Sequence, residues 1–224
     1  MDHILTYYPF RILKPFQSFL KSRGYAPFIG ISRHRIGIDG EGITTLVAFN
    51  SCPLRCKYCL NPQSLHISGV LSWNSPHSLL QKVLKDNLYF KSTKGGITFG
   101  GGEPLLYPKF ISEFKQICPK EWKINVETSL NVSKSSLVQL LGVIDSFIID
   151  IKDMNPVIYK QYTGQDNIKV IENLHFLVQQ GMTDCILVRV PLIPEYNTED
   201  DIAKSLRMLS KIGIKQIERL IYTT

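Results

Sequence analysis

The chain of 224 residues has no apolar run close to the roughly 18–20 residues that a membrane-spanning helix needs. Its N-terminal segment contains prolines and no small-residue cleavage site, so we do not expect a signal peptide. Low-complexity segments and an interdomain linker are also absent. The hydrophobic share is 44%, which is typical of a globular protein. We therefore expect one well-cored domain and no membrane partner.

Cysteine is scarce and odd in number: there are five cysteines, and three of them fall within eight positions. An odd, crowded set argues against a disulfide framework and favours a reducing compartment. We therefore expect a cytoplasmic protein.

Acidic residues are fewer than basic ones, with 19 Asp and Glu against 26 Lys and Arg and a net charge of +7. The basic residues are scattered, apart from a loose group formed by Arg11, Lys14, Lys21, Arg23, Arg33 and Arg35. Such a group can serve nucleic acid or an acidic partner. Because no nucleic-acid motif accompanies it, we interpret it as a solvated surface and expect no nucleic-acid partner.

Six apolar, β-rich runs occur along the chain, and a helical pattern follows each of the first five. The runs are Ile43–Asn50, Ile97–Phe99, Trp122–Thr128, Ser146–Ile151, Cys185–Leu192 and Gln216–Tyr222. Near-continuous apolar runs suit parallel strands that are buried on both faces, and strands alternating with helices imply right-handed crossovers. The pattern predicts an α/β fold, a partial (β/α)6 barrel of the TIM type, preceded by an N-terminal extension over residues 1–35.

Three cysteines follow the first run directly, as Cys52, Cys56 and Cys59 in a CxxxCxxC spacing. A compact loop of thiolates suits soft metal centres. A structural zinc site requires four ligands, and electron-transfer clusters also use four cysteines. Three ligands to a cubane would leave one iron open and reactive. The spacing favours an iron–sulfur cluster, with zinc or no metal as the alternatives.

The sequence CPLRCKYC, with Tyr58 before the third cysteine, resembles the signature of the radical S-adenosylmethionine (radical SAM) superfamily. This resemblance implies a [4Fe–4S] cluster on the three cysteines and S-adenosylmethionine (SAM) on the open iron. Reductive cleavage of SAM then releases a 5′-deoxyadenosyl radical. It also implies that Tyr58 offers its backbone to the adenine, and that residues 36–224 form the radical SAM core domain.

Further motifs stand at the ends of the later runs, and Arg189 is a charged residue within the fifth run. The resemblance implies that they bind SAM: Gly101, Gly102 and Glu103 in a GGEP sequence, Glu127 with Thr128, Asp150 with Lys152, and Arg189. For the glycines a tight turn is the alternative, and for the charged residues structural ion pairs are, because unpaired charges are costly to bury. In α/β barrels the carboxyl ends of the strands meet at one face, so we expect these residues to line one pocket.

The chain is most similar to the glycyl-radical-enzyme activating enzymes, on the motifs above together with Asp39–Gly42, Asn61-Pro62, Tyr162–Gly164 and Val190–Asn197. The resemblance implies an enzyme that abstracts hydrogen from a glycine of a partner protein and takes electrons from flavodoxin or ferredoxin. Departures are Glu41, where the family has proline, and the end of the chain at Thr224. The alternatives are a radical enzyme acting on a small peptide or metabolite, and a metal-binding module without turnover.

The first 35 residues interleave aromatic with basic side chains. They could contact an incoming polypeptide, or the aromatics could pack over an exposed edge of the barrel. The aromatics are Tyr7, Tyr8, Phe10, Phe16 and Phe19.

Overall fold

The structure, a computed structural model, describes residues 14–221 and contains one eight-stranded sheet flanked by helices. The strands are β1 Ala26–Ile36, β2 Ile43–Phe49, β3 Ser72–Asn74, β4 Gly96–Gly101, β5 Lys123–Thr128, β6 Ser146–Asp150, β7 Ile186–Leu192 and β8 Gln216–Ile221. The helices are α1 Lys14–Ser22, α2 Pro76–Val83, α3 Asn87–Thr93, α4 Pro108–Ile117, α5 Lys134–Val138, α6 Pro156–Thr163, α7 Ile168–Gln179 and α8 Glu199–Ile212.

The six predicted strands are confirmed as β2, β4, β5, β6, β7 and β8, and neighbouring members of this set pair in parallel. The order of the sheet is β3-β1-β2-β4-β5-β6-β7-β8. Its two edge strands, β3 and β8, do not pair with each other, so the sheet stays open. This architecture confirms the predicted partial (β/α)6 barrel of the TIM type.

Two further strands lie outside the prediction: β1 pairs antiparallel with β2, and β3 pairs antiparallel with β1. The segment 1–35, expected as an extension, therefore supplies most of a long strand of the sheet. The burial of β1 alternates along its second half, as it does in an antiparallel strand with one solvated face. The aromatics Tyr7, Tyr8 and Phe10 lie outside the described residues, and so does Tyr222 at the end of the last predicted strand.

An aromatic cluster joins β1, β2 and β4 to α4. Phe49 contacts Phe28 edge to face at 5.3 Å between ring centroids, and it contacts Phe110 in the same way at 5.7 Å. Phe99 packs on Phe114 at 5.6 Å. These rings are fully buried, and edge-to-face pairs add about 0.5–1.5 kcal/mol each beyond the area that they bury. The cluster fixes the strands from which the cysteine loop and the glycine motif emerge.

No helix within residues 14–221 has the length and apolar character required to cross a membrane.

Candidate functional site

A cleft opens where β2, β4, β5 and β6 end. The cleft is lined by Cys52, Leu54, Cys56, Tyr58, Cys59, Leu60, Asn61, Gly101, Gly102, Glu127, Thr128, Ser129, Asp150 and Lys152. Ten of the twelve predicted site residues are among them, and the exceptions are Glu103 and Arg189.

The loop that carries the cysteines, residues 51–61, is held by the end of α6. The backbone N–H of Arg55 donates to the carbonyl of Thr163 at 2.8 Å, and that of Lys57 donates to the carbonyl of Tyr162 at 3.2 Å. Gly164 follows with φ 74° and ends the helix in the left-handed conformation, which is the usual role of glycine at this position. The last two carbonyls of α6 therefore bond the loop and fix its course.

All three cysteines of the loop are free thiols and half-buried. Burial raises the pKa of Cys52 to about 12, with a smaller contribution from the nearby Glu103 carboxylate. Burial also raises the pKa of Cys56, although Lys152 opposes the shift. Burial therefore disfavours the thiolate forms in this cleft, whereas metal coordination deprotonates thiols. Within residues 14–221, no three His, Cys, Asp or Glu side chains are grouped closely enough to share one metal ion.

The glycine motif packs tightly on the start of the cysteine loop. A Cβ at Gly102 would stand 2.3 Å from the carbonyl oxygen of Ser51, and Gly101 has φ 86°. The N–H of Gly102 donates to Phe49, and the N–H of Glu103 donates to Ser51. Only glycine allows this approach of two backbones. The tight turn that was the alternative interpretation of these glycines is therefore present. Both glycines also line the cleft, so the turn does not exclude a role in binding.

Glu103 is fully enclosed and does not line the cleft. Its carboxylate accepts hydrogen bonds from the Thr128 hydroxyl at 2.6 Å and from the Ser129 hydroxyl at 2.7 Å, and also from the N–H groups of Ser129 and Leu105. Burial raises the pKa of this carboxyl, and the four hydrogen bonds oppose the rise. Glu103 thus joins the end of β4 to the end of β5 and orients two hydroxyls that do line the cleft.

Three charged side chains, those of Glu127, Asp150 and Lys152, form a charged wall of the cleft. Lys152 Nζ lies 3.2 Å from Asp150 Oδ2, whereas the buried Asp150 Oδ1 has no hydrogen-bond partner among residues 14–221. The pKa of Glu127 is raised to about 7, first by burial and then by Asp150 and Asp39. Such a shifted carboxyl beside an unpartnered one is typical of a ligand site.

Arg189 lies behind this wall and not in the cleft. Its Nη1 donates to Glu127 Oε1 at 3.0 Å and its Nε donates to Glu218 Oε2 at 3.1 Å. Its Nη2 donates to the carbonyl of Ile38. Arg189 therefore forms the core ion pair that was the alternative to cofactor contact, and it reaches the cleft only through Glu127.

Tyr58 lines the cleft and contacts two other tyrosines. Its ring centroid is 6.3 Å from that of Tyr162 and 5.9 Å from that of Tyr196. Its hydroxyl donates to Glu195 Oε2 at 2.9 Å. Glu195 has φ 67° without being glycine, an uncommon conformation that costs about 1 kcal/mol or more. The chain thus uses a strained residue after β7 to hold the tyrosine of the cysteine loop.

Four lining residues were not among the predicted contacts: Leu54, Leu60, Asn61 and Ser129. Ser129 directly follows the Glu127-Thr128 pair, so its position just past a strand end was an available signal. Nothing in the sequence marks the apolar Leu54 and Leu60 as lining residues. The hydrogen bond from Tyr58 to Glu195 likewise has no signal in the sequence.

The lining groups suit the two cofactors that the cysteine motif implies. The three thiols on one side can ligate a cluster, and a cluster does not require the donors to meet at a single ion. On the charged wall, the ammonium of Lys152 matches a carboxylate, and Asp150 Oδ1 can accept from a hydroxyl or ammonium group. An amino acid joined to a ribose, as in SAM, presents all of these groups. The donor set therefore fits both cofactors.

Comparison with known proteins agrees with this chemistry. Residues 46–209 match the family model described as the radical SAM superfamily. The pyruvate formate-lyase 2-activating enzyme of Escherichia coli is 29% identical, and the match covers 87% of this chain and 76% of that enzyme. The 4-hydroxyphenylacetate decarboxylase activating enzyme of Clostridioides difficile is 28% identical, with 81% and 77% covered.

Solved structures share the fold at low identity. Streptococcus suis SuiB has a TM-score of 0.59 and 15% identity, over 78% of this chain and 38% of that one. The enzyme anSMEcpe, solved with AdoMet and a peptide, has a TM-score of 0.60 and 17% identity, over 80% and 51%. The family match spans well over half of the sequence and includes the cysteine loop, the glycine motif and the charged wall. The chain belongs to the radical SAM superfamily, whose members use a [4Fe–4S] cluster and SAM.

Proposed function

We propose that this protein is an activating enzyme that removes a hydrogen atom from a glycine of a partner protein and leaves a glycyl radical there. The observation that carries the proposal is the likeness to activating enzymes along more than four fifths of the chain. The enzymes that these relatives are named for differ, and include a formate-lyase and a decarboxylase. What such relatives have in common is the act of activation, not one target.

The cofactors supply the radical: when bound, the cluster donates the electron that cleaves SAM to methionine and a 5′-deoxyadenosyl radical. The residues of this chain bind and orient. Cys52, Cys56 and Cys59 hold the cluster. Lys152 pairs with the SAM carboxylate, and Asp150 accepts from the amino acid or ribose.

Residues outside the cleft hold the lining side chains in place. Glu103 holds the hydroxyls of Thr128 and Ser129 in place, and Arg189 holds Glu127. We propose that Tyr58 borders the adenine, as the family resemblance implies, and that Glu195 fixes its ring through the hydroxyl.

The proposal also includes the cellular compartment and the electron donor. Free thiols and an oxygen-sensitive cluster require a reducing, oxygen-free compartment, so we propose an anaerobic cytoplasm. The electrons come from a flavodoxin or a ferredoxin.

The test uses the protein reconstituted anaerobically with iron and sulfide, SAM and dithionite, together with a candidate glycyl-radical enzyme. We expect a glycyl radical signal in electron paramagnetic resonance and one 5′-deoxyadenosine per radical formed. The Cys56→Ala variant should give neither. Its matched control, Cys118→Ala, changes a buried cysteine outside the loop and should give both.

Formation of 5′-deoxyadenosine without a radical on the partner would reject the activase assignment and leave the superfamily assignment intact. If the same assay instead shows hydrogen abstraction from a short peptide, a peptide-modifying enzyme would be favoured.

A further inference from the structure

The loop that carries the cysteines contains an arginine whose side chain bonds the loop itself. Arg55 Nη1 donates to the carbonyl of Cys52 at 2.7 Å and to the carbonyl of Leu54 at 2.8 Å. The guanidinium forms no ion pair with a carboxylate of residues 14–221, so its partners in this part of the chain are the two carbonyls. Because Arg55 directly precedes Cys56, its side chain links the first cysteine of the motif to the second. We call residues 52–56 the CxxxC segment.

The two carbonyls of the CxxxC segment depend on this side chain. Residues 51–61 form neither a helix nor a strand. Within residues 14–221, no backbone N–H group donates to the carbonyl of Cys52 or to that of Leu54. Arg55 thus supplies the donor that a regular helical turn would otherwise provide. A hydrogen bond from a charged donor is roughly twice as strong as a neutral one, so the guanidinium restrains the segment more than a neutral donor would.

The two ends of the CxxxC segment are anchored on different parts of the fold. Before the segment, the N–H of Ser51 donates to the carbonyl of Ser64 at 2.7 Å. Near its other end, the N–H of Arg55 donates to the carbonyl of Thr163 at 2.8 Å, at the end of α6. Only residues 52–54 lie between these two anchors, and two of their three carbonyls accept from the guanidinium. The side chain of Arg55 therefore fixes the short stretch that joins two fixed points.

Arg55 does not face the cofactors directly. Cys52 and Cys56 line the cleft, whereas Arg55 is exposed and is absent from the lining. Its side chain can therefore influence a bound cluster through the backbone of the CxxxC segment or through its charge.

We propose that Arg55 is a positioning residue whose guanidinium holds the CxxxC segment in the conformation that presents Cys52 and Cys56 to the cluster. This inference rests on the ligation of the cluster by these cysteines, which is part of the proposed function. A segment that is already shaped for its metal loses less conformational freedom on binding, so it holds the metal more tightly.

The alternative is that Arg55 acts by charge alone, since a nearby cation stabilises an anionic cluster. Lys57 distinguishes the two explanations. It directly follows Cys56, is exposed like Arg55 and carries the same charge. Its backbone N–H bonds α6, but its ammonium bonds no residue from 14 to 221. Lys57 is therefore a cation at the same distance in sequence from Cys56 that does not restrain the CxxxC segment through its side chain.

The test compares Arg55→Met with Lys57→Met in the anaerobically reconstituted protein. Each substitution removes one positive charge beside Cys56 and keeps an unbranched side chain, but only Arg55→Met removes hydrogen bonds to the CxxxC segment. The first measurement is the rate of iron release to a ferrous chelator, followed by absorbance. We expect release about tenfold faster from Arg55→Met than from the wild type, and within about twofold of the wild type from Lys57→Met.

The electron paramagnetic resonance spectrum of the reduced cluster provides the second measurement. We expect its shape to change in Arg55→Met and to stay the same in Lys57→Met, because only the first variant frees the ligand geometry. Equal iron release from the two variants would overturn the inference, and so would an unchanged spectrum in Arg55→Met. A metal-free Arg55→Met protein that unfolds at a clearly lower temperature than metal-free Lys57→Met would also overturn it, because the role would then be one of general stability.

The Cys56→Ala variant, measured in parallel, distinguishes failure of this inference from failure of the ligand assignment. If Cys56→Ala loses its iron while the two Met variants match each other, only the role of Arg55 is wrong. If Cys56→Ala retains its iron, the ligand assignment is wrong, and the inference fails with it.

Discussion

At the scale of single residues, the account depends on which cysteines hold the cluster. Cys52, Cys56 and Cys59 border one cleft, whereas Cys118 is buried at the end of α4 and Cys185 lies before β7. We expect about four irons and four sulfides per chain after anaerobic reconstitution. Cys56→Ala should lose this iron, and Cys118→Ala and Cys185→Ala should retain it. Equal iron loss in all three variants would make the ligand assignment wrong.

The raised pKa of Glu127, about 7, predicts a dependence of stability on pH. The ordinary value is 4.5, so the folded protein holds an extra proton between pH 4.5 and 7. Stability should therefore fall as the pH rises through this window, because the buried carboxyl must ionise. We expect the decrease in unfolding free energy between pH 4.5 and 7 to be roughly 2 kcal/mol smaller for Glu127→Gln than for the wild type. Urea titrations of the metal-free proteins measure this difference.

The control for that experiment is Glu172→Gln, which changes an exposed glutamate on α7. Its stability should follow the wild-type curve at every pH. A Glu127→Gln curve parallel to that of the wild type would show that the carboxyl is ionised throughout the window.

Glu195 allows a test of strain maintained for binding. Glu195→Gly relieves the backbone strain at φ 67° but removes the acceptor for the Tyr58 hydroxyl. We expect this variant to be no less stable than the wild type in thermal unfolding, yet to bind SAM about threefold more weakly. Glu195→Gln keeps both the side-chain acceptor and the strain, and it should bind SAM like the wild type. Unchanged SAM affinity in Glu195→Gly would remove Glu195 from the site.

At the scale of elements, the end of α6 acts on the cysteine loop. Gly164→Ala would force a Cβ into the left-handed conformation, and the nearest atom, Cβ of Arg55, is 3.8 Å away. We therefore expect a loss of about 1 kcal/mol in unfolding free energy without a clash. Because the preceding carbonyls bond the loop, the electron paramagnetic resonance spectrum of the reduced cluster should also change.

Gly181→Ala is the matched control, since Gly181 has the same φ of 74°, open space around its Cα and no contact with the loop. It should lose a similar stability and leave the spectrum unchanged. Identical spectra for both variants would show that α6 does not position the cysteines.

The elements also show what the sequence could and could not predict. The six parallel strands were predictable because each is a nearly continuous apolar run, and their shared carboxyl edge brings ten of the predicted site residues to one cleft. The strand β1 was not, because its exposed half carries Arg33, His34 and Arg35, and its pairing partner β3 has only three residues. The burial of Glu103 and the partners of Arg189 were not predictable, since both depend on contacts between distant strands.

At the scale of the whole molecule, β1 ties the N-terminal region to the sheet. Phe28 of β1 packs between Phe49 and Phe110 in the aromatic cluster. Deletion of residues 1–30 removes that ring, and we expect aggregation or cluster loss. A stable, cluster-loaded deletion protein, measured by gel filtration and iron content, would contradict this packing role.

The central claim is that one cleft holds a cluster and SAM together for radical chemistry. The most direct measurement is the 5′-deoxyadenosine formed by the reconstituted protein with dithionite and SAM, compared with the same protein carrying Asp150→Asn. We predict formation of 5′-deoxyadenosine and methionine by the wild type. The variant should keep its iron but bind SAM at least about tenfold more weakly, because it loses a charged hydrogen-bond acceptor. An intact, reduced cluster with bound SAM and no 5′-deoxyadenosine would contradict the account.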